Sequence, residues 1–396
     1  MAPAARRSLN PLHDVVGHED VRASLVRAHR AQGLPAALLI HGLRGIGKQR
    51  LALWVGQLML CEAPAAEGPC GACRSCRMAV AVEHPDLHWY FPLPRPKGVS
   101  GDRLADALET ARIDALAEMR AEPLRASHGD ELRGLYLGLI QGLRRRAQMR
   151  PSAGAVQVFL IADAEYLVPQ EASPEAANAL LKLLEEPPTG TRFILTSSEP
   201  GRLLPTIRSR SVPLHLAPLR ADRVAAFLVS HARVDERTAA WAAGLGHGSI
   251  GRALGFLPQG DEPGPLEALR REALGLVEAA LADGRAPGFA VALSQSSSRA
   301  RSLVDLFAFV EEWLRDLAAV ASAAEGSVIS QDVLPHLREL TAARALDPSA
   351  VAAALPALDE ARELARANVN PQLVVSGLLR RLRRTLRPAA PVPGGS

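Results

Sequence analysis

Short, unbroken apolar runs alternate with longer stretches of helical spacing through the first half of this chain. Residues 36–41, 156–161, 192–196 and 212–216 are the short runs. Runs of that length, bounded by Gly, Pro and other turn residues, predict strands buried on both faces. Residues 84–91, from His84 to Phe91, predict another strand. Between these runs the period changes. Residues 14–32 carry Val21, Leu25 and Ala28 at helical spacing, and a second helix is expected from about residue 50 to about 60. Residues 92–100, rich in Pro, Gly and basic side chains, predict a loop. Residues 101–147 predict helix, broken at Glu122-Pro123. Ser173, ahead of Pro174, predicts the cap of a helix that stops before Pro187-Pro188. A helix-prone stretch over 201–207 precedes the strand at 212–216. Strands alternating with helices imply a parallel sheet covered on both sides.

After Pro218 only helical patterns remain. Residues 219–256 predict a small helical lid domain, residues 257–265 a Pro/Gly-rich linker, and residues 266–387 a C-terminal all-α domain. Residues 388–396 read as a frayed tail. The expected organisation is an α/β domain over 1–218, a lid over 219–256, and a helical collar over 266–387.

Composition narrows this little. The 396 residues are 48% apolar and 22% charged, and the net charge is 46 − 42 = +4. That balance is too mild to establish nucleic-acid binding. The clusters Arg144-Arg145-Arg146 and Arg380-Arg381-Leu382-Arg383-Arg384 read either as solvated helix faces or as DNA contacts. No apolar core follows the basic N-terminal residues, so no signal peptide is expected. No run of about 18 apolar residues predicts a membrane span. A cytoplasmic location is the expectation.

Two local patterns carry chemistry. Residues 42–49 read Gly42-Leu43-Arg44-Gly45-Ile46-Gly47-Lys48-Gln49, between a predicted strand and a predicted helix. A phosphate-binding loop reads G-x-x-x-x-G-K-[ST] in that context. The match fails only at Gln49, where a hydroxyl would ligate Mg²⁺. Lys48 reads as a ligand for a β-phosphate or as a solvated lysine at a helix start. The second pattern is Cys61, Cys70, Cys73 and Cys76, spaced C-x8-C-x2-C-x2-C among small turn residues. Four thiolates at that spacing can surround Zn²⁺ as a closed structural site. Disulfide pairing is the competing reading. His84 reads as a polar loop residue and not as a further ligand.

Further motifs carry a family resemblance. The run Asn178-Ala179-Leu180-Leu181-Lys182-Leu183-Leu184-Glu185-Glu186-Pro187-Pro188 resembles a helix end of bacterial clamp-loader subunits, which are AAA+ proteins. Thr206-Ile207-Arg208-Ser209-Arg210-Ser211 resembles their S-R-C motif, with Ser211 replacing Cys. The cysteine knob and the segment Asn368-Val369-Asn370-Pro371-Gln372-Leu373-Val374-Val375 are similar to that family too. Residues 92 to about 136 fall outside the resemblance and read as an insertion.

The resemblance implies two branches, the ATP-hydrolysing gamma/tau subunit and the delta-prime subunit. Aligned with the family strand, Ala162 occupies the position of the metal-binding Asp, and Asp163 that of the water-orienting Glu. Asp163 reads equally as a turn or capping carboxylate. Loss of oxygen ligands at both Gln49 and Ala162 argues against hydrolysis. Thr196 or Ser197 matches a polar sensor, and Arg252, in Gly248-Ser249-Ile250-Gly251-Arg252-Ala253, a second sensor or a surface salt bridge. Arg210 resembles an arginine finger presented to a neighbour's ATP, with Arg208 as the alternative. The implied role is a stator in the DNA polymerase III holoenzyme, itself a DNA-directed DNA polymerase. The implied partners are gamma/tau and delta subunits, the sliding clamp and primed DNA. Structural Zn²⁺ is expected, ATP or ADP could occupy the degenerate site, and no catalysis by the lone chain is expected. A zinc-dependent nucleic-acid module is disfavoured, because the knob lacks interleaved aromatics and dense basic charge.

Overall fold

The computed structural model describes residues 15–99, 102–121, 133–167, 175–284, 286–295, 302–367 and 369–386. The predicted cap at Ser173, the break at Glu122-Pro123 and both chain ends lie outside the described residues. The chain divides into two compact units, changing at Leu254 and Gly255. The segment predicted as a lid therefore groups with the sheet almost entirely.

The first unit is built on five strands: β1 (Ala37–Gly42), β2 (Leu87–Tyr90), β5 (Gln157–Ile161), β6 (Thr191–Ser197) and β7 (Val212–Leu216). They pair in the order β2-β5-β6-β1-β7, and every pairing is parallel. The central strands explain the unbroken apolar runs. Each residue of β5 is buried, as are Ala37 to Ile40 of β1, because helices cover both faces. Edge strand β7 is mostly exposed and contains Pro213, which has no N–H to lose on an open edge.

Helices α1 (Glu19–Arg30), α2 (Lys48–Leu60) and α3 (Arg74–Val80) precede β2. Leu51 to Leu58 of α2 are buried throughout, so this helix sits inside the unit. Residues 92–100, expected as a loop, contain a two-residue strand β3 (Leu93–Pro94). It pairs antiparallel with β4 (Arg133–Gly134). Leu93 and Leu135 are both 2% exposed, and these apolar anchors hold the two ends of the insertion together. Helix α4 (Asp102–Ala121) lies within the insertion, and α5 (Leu137–Ala147) follows it. Helix α6 (Glu175–Glu185) buries Ala177, Leu180, Leu183 and Leu184, one stripe at helical spacing. The predicted helix over 201–207 is a 3₁₀ turn, Pro200–Arg202, then the short α7 (Pro205–Ser209). Pro205 begins α7 where its missing N–H costs nothing. Helices α8 (Ala221–Phe227), α9 (Glu236–Leu245) and α10 (Ile250–Phe256) follow the sheet.

The second unit holds α11 (Pro265–Leu281), α12 (Ala286–Leu293), α13 (Ser302–Ala321), α14 (Leu334–Arg344), α15 (Pro348–Arg366) and α16 (Pro371–Leu386). Among its described residues there is no strand. Trp313, Leu314 and Leu317 of α13 are buried at its centre, and Trp313 Nε1 donates to the Arg270 carbonyl at 2.9 Å. Asp316 is fully buried and accepts from the amides of Ile329 (2.8 Å) and Ser330 (2.9 Å). Among the described residues no helix is long and apolar enough to cross a membrane.

Candidate functional site

The loop after β1 folds as a phosphate cradle because three glycines adopt backbone angles other residues avoid. Gly42, Gly45 and Gly47 have φ of 154°, 76° and 106°. A Cβ on Gly42 would lie 2.6 Å from the Leu216 carbonyl oxygen, and one on Gly45 2.6 Å from Ser249 Oγ. At Gly47 a Cβ would meet nothing within 4 Å, so the space in front of the first turn of α2 is open. Helix α10 braces the loop from behind. Ser249 Oγ donates to the Arg44 carbonyl at 2.7 Å, and the Gly251 amide to the Gly45 carbonyl at 2.9 Å.

Lys48 is 4% exposed. Its Nζ donates to the carbonyls of Gly42 (3.0 Å) and Leu43 (2.8 Å) and to Ser198 Oγ (2.9 Å). All three ammonium protons are thus held by the protein. Burial lowers the Lys48 pKa, while Asp163 and Glu165 counteract this by favouring the charge. Lys48 is therefore not a solvated helix-start lysine.

Gln49 Nε2 donates to Asp163 Oδ2 at 2.9 Å. One side of the gap thus presents an N–H where a motor would present a hydroxyl oxygen. Ala162, next to Asp163, is buried at 1% exposed and carries no oxygen on its side chain. The glycine cradle fits a phosphate, but positions 49 and 162 offer neither the hydroxyl nor the carboxylate oxygen that Mg²⁺ would take there. Asp163 sits in the left-handed region, at φ 48°. Its carboxyl is pushed up to about 6, first by burial and then by the nearby Glu165 charge.

Thr196 lies against Asp163. It is 1% exposed, and its Oγ1 accepts from the Asp163 amide at 3.0 Å. Ser197 Oγ accepts from the Glu199 amide. The hydroxyl that reaches Lys48 is Ser198, which sequence reasoning missed. In the run Thr196-Ser197-Ser198 three hydroxyls are equivalent by pattern, and Ser198 differs in standing just past the end of β6. Glu165 was missed as well. It is 4% exposed, its Oε1 accepts from the Ser198 amide at 2.9 Å, and its Oε2 has no hydrogen-bond partner. Arg252 Nε donates to the Leu245 carbonyl at 3.0 Å.

Arg210 lies elsewhere. It caps the C-terminal end of α7, two residues before β7, whose Val212 is in register with Leu38. Lys48 follows the opposite, C-terminal end of β1. Arg210 Nη2 pairs with Glu185 Oε1 at 2.7 Å, and its Nη1 donates to the Thr206 carbonyl at 3.2 Å. Arg210 therefore belongs to the end of the sheet away from its own phosphate loop. Arg208 is exposed nearby. Ser211 is buried and donates to the Ile207 carbonyl at 2.8 Å, which satisfies its hydroxyl.

The four cysteines converge. All four Sγ atoms lie within 4.8 Å of one another, and none is in a disulfide. Main-chain amides of Cys70, Cys73 and Cys76 donate at 3.3 Å to the sulfurs of Cys61, Cys70 and Cys73 respectively. N–H···S bonds favour the thiolate, the form a metal requires. The amides of Cys73 and Ala72 draw the Cys70 thiol down to about 6, whereas burial pushes Cys61 and Cys76 up. This donor set fits Zn²⁺ without a spare position. Gly68 lets the knob close over α2, since a Cβ there would lie 2.7 Å from the Trp54 ring. His84 is apart from the cluster, its Nδ1 accepting from the Asp86 amide at 3.1 Å.

A model of the family described as "DNA polymerase III, delta subunit" matches residues 17–220. The delta-prime subunit of DNA polymerase III from Escherichia coli is 29% identical over 374 residues, covering 93% of this chain and 95% of that relative. The Pseudomonas aeruginosa delta-prime subunit is 38% identical over 177 residues, 44% of this chain and 41% of the relative. The Escherichia coli tau subunit is 29% identical over 211 residues, 53% of this chain and 26% of tau. With just over half of its length matched by one family model, this chain belongs to the DNA polymerase III delta subunit family and is a clamp-loader subunit of the delta-prime type.

Proposed function

We propose that this chain is a non-hydrolysing stator of the DNA polymerase III clamp loader. In this reading it completes a neighbouring gamma/tau ATP site and helps place the sliding clamp on primed DNA. The observation that carries it is the Gln49–Asp163 hydrogen bond at 2.9 Å, with Ala162 beside it. Positions 49 and 162 supply neither the hydroxyl nor the carboxylate that would hold a metal beside a triphosphate, and phosphoryl transfer depends on that metal. Lys48 saturated by Gly42, Leu43 and Ser198 supports the same reading. ATP or ADP bound at Gly42, Gly45, Gly47 and Lys48 would be held and not cleaved.

Arg210 is the group offered outward. A guanidinium supplied in trans stabilises charge developing on a γ-phosphate. Its location away from Lys48 favours use by a neighbour. Residues 1–218 act as the AAA+ domain, 219–256 as its lid and 266–387 as the collar that joins gamma/tau and delta. Cys61, Cys70, Cys73 and Cys76 would hold Zn²⁺, which cross-links a knob that has little core of its own.

Purified chain and reconstituted loader test this together. The chain alone is expected to show no ATP turnover, and Arg210→Ala to slow turnover by the complex. Steady turnover by the lone chain, abolished by Lys48→Ala, would make it a motor of the gamma/tau kind.

A further inference from the structure

The insertion builds a cationic pocket against the edge of the sheet. Helix α4 presents Arg112, Ile113, Leu116 and Arg120 along one face, at positions i, i+1, i+4 and i+8. That face closes over edge strand β2 and the segment before it, leaving a cavity of about 220 Å³. Arg146 of α5, His88 of β2, and Glu83 and His84 before β2 add to its polar lining.

Two arginines are fixed in place by main-chain carbonyls. Arg112 Nη1 donates to the Trp89 carbonyl at 3.1 Å, and its guanidinium lies 5.1 Å from the Tyr90 ring centre. Arg120 Nη2 donates to the Val82 carbonyl at 2.7 Å. Eight residues of helix, ~12 Å at 1.5 Å per residue, separate these anchors. Glu109 neutralises Arg112 through both carboxylate oxygens. Glu83 approaches Arg120 only to 3.7 Å, and its side chain is 63% exposed. Arg120 Nε is buried without a hydrogen-bond partner, and among the described residues Arg146 has no carboxylate partner. Asp86 is engaged elsewhere, accepting the amides of Ser152 (2.6 Å) and Ala153 (2.7 Å).

The cavity thus gathers more guanidinium than carboxylate, with a buried N–H left over. Forked N–H donors match the oxygens of phosphate. The volume, below the 300 Å³ or so at which drug-sized ligands begin to fit, suits a group of phosphate size. We propose that the pocket between α4 and β2 binds a phosphate group, held chiefly by Arg120 and Arg146, at a site separate from the Lys48 loop. His88 reports on it from within: burial, then Arg146 and Arg112, hold its pKa down at about 4, with Asp86 and Glu109 opposing.

The test is calorimetric titration of the full chain with inorganic phosphate in low-chloride buffer. Arg120→Gln/Arg146→Gln removes both guanidinium charges while keeping polar side chains, and is expected to weaken binding roughly tenfold or more. Lys48→Ala disables any phosphate site at the glycine loop, so the binding that persists in it is the pocket's own. On the unaltered chain, saturating phosphate is expected to raise the His88 pKa, read by NMR, which needs no variant to fold. A 5′-phosphorylated oligodeoxynucleotide compared with its unphosphorylated form tells a strand-borne phosphate from a free one, and preference for either fits the site. An undetectable heat and an unmoved His88 resonance would overturn the proposal. So would binding lost with Lys48→Ala and kept in the double variant.

Discussion

The amide of Gln49 hands an N–H to the carboxylate of Asp163 at 2.9 Å, spanning the place where a hydrolytic relative would hold a metal. Substituting the hydroxyl at one side does not reverse this, because Ala162 still contributes only a methyl. Gln49→Thr in the lone chain is therefore expected to give no magnesium-dependent ATP turnover, checked by phosphate release. Turnover from that single change would show that the second oxygen is dispensable.

Asp163 couples this site to pH. Its ordinary value is 3.8, and in the folded chain it is about 6. The folded state therefore holds a proton that the unfolded state has released over that interval. Its share of stability is full below about pH 4 and is lost as pH rises toward about 6. The difference of about two units corresponds to roughly 2–3 kcal/mol. Asp163→Asn keeps an acceptor for Gln49 and removes the buried charge. It is expected to raise stability at pH 8 by about 1–3 kcal/mol and to flatten the profile between about pH 4 and pH 6. Urea unfolding of both proteins across that range decides it.

Arg210 and Glu185 form a half-exposed pair at 2.7 Å, of a kind worth under about 1 kcal/mol. Arg210→Ala is expected to leave the melting temperature nearly unchanged while slowing ATP hydrolysis by the complex, by up to ~10³–10⁵-fold for a full finger. Arg210→Lys should not restore the rate, since an ammonium lacks the planar fork. Equal rates for the wild-type and Arg210→Ala complexes would remove the finger assignment.

The cysteine knob is expected to carry one zinc per chain by elemental analysis. Chelation should raise amide exchange over residues 61–76 before the sheet responds, because α2 beneath it is buried by its own apolar contacts. Cys73→Ser should reproduce that pattern, as it loses a thiolate while its hydroxyl can still cap α3 by accepting the Cys76 amide. A chain free of zinc with native exchange rates over 61–76 would refute the metal.

Asp86 is 2% exposed and accepts two amides from the turn before β5. Asp86→Ala removes the shared acceptor of both N–H groups. It is expected to cost about 2–4 kcal/mol in chemical denaturation. A loss below about 0.5 kcal/mol would mean that water replaces the carboxylate.

The strand-helix alternation, the phosphate loop and the sulfur cluster were legible from the sequence because each depends on local spacing. Ala36 to Ile40 needs no partner to read as a strand, and the four cysteines lie within sixteen residues. What escaped depends on register between distant segments. Ser198 reaches Lys48 only because β6 runs beside β1, with Ile40 level with Thr196. Glu165 matters only because a 3₁₀ turn brings it under Ser198. The partner of Arg210 is 25 residues earlier in sequence, on α6, and no periodicity signals it. The β3–β4 pairing was invisible because two-residue strands have no period.

Lys48 and Arg210 at opposite ends of one sheet give this subunit a direction. Repeated copies joined head to tail would each turn an arginine toward the next nucleotide pocket. A member whose own pocket lacks the metal ligands breaks that chain of reaction at one side only: its arginine can still serve, and no neighbour's arginine would have anything to accelerate in it. On the proposed reading, such a piece would stand at the terminus of a row and fix which way the row reads.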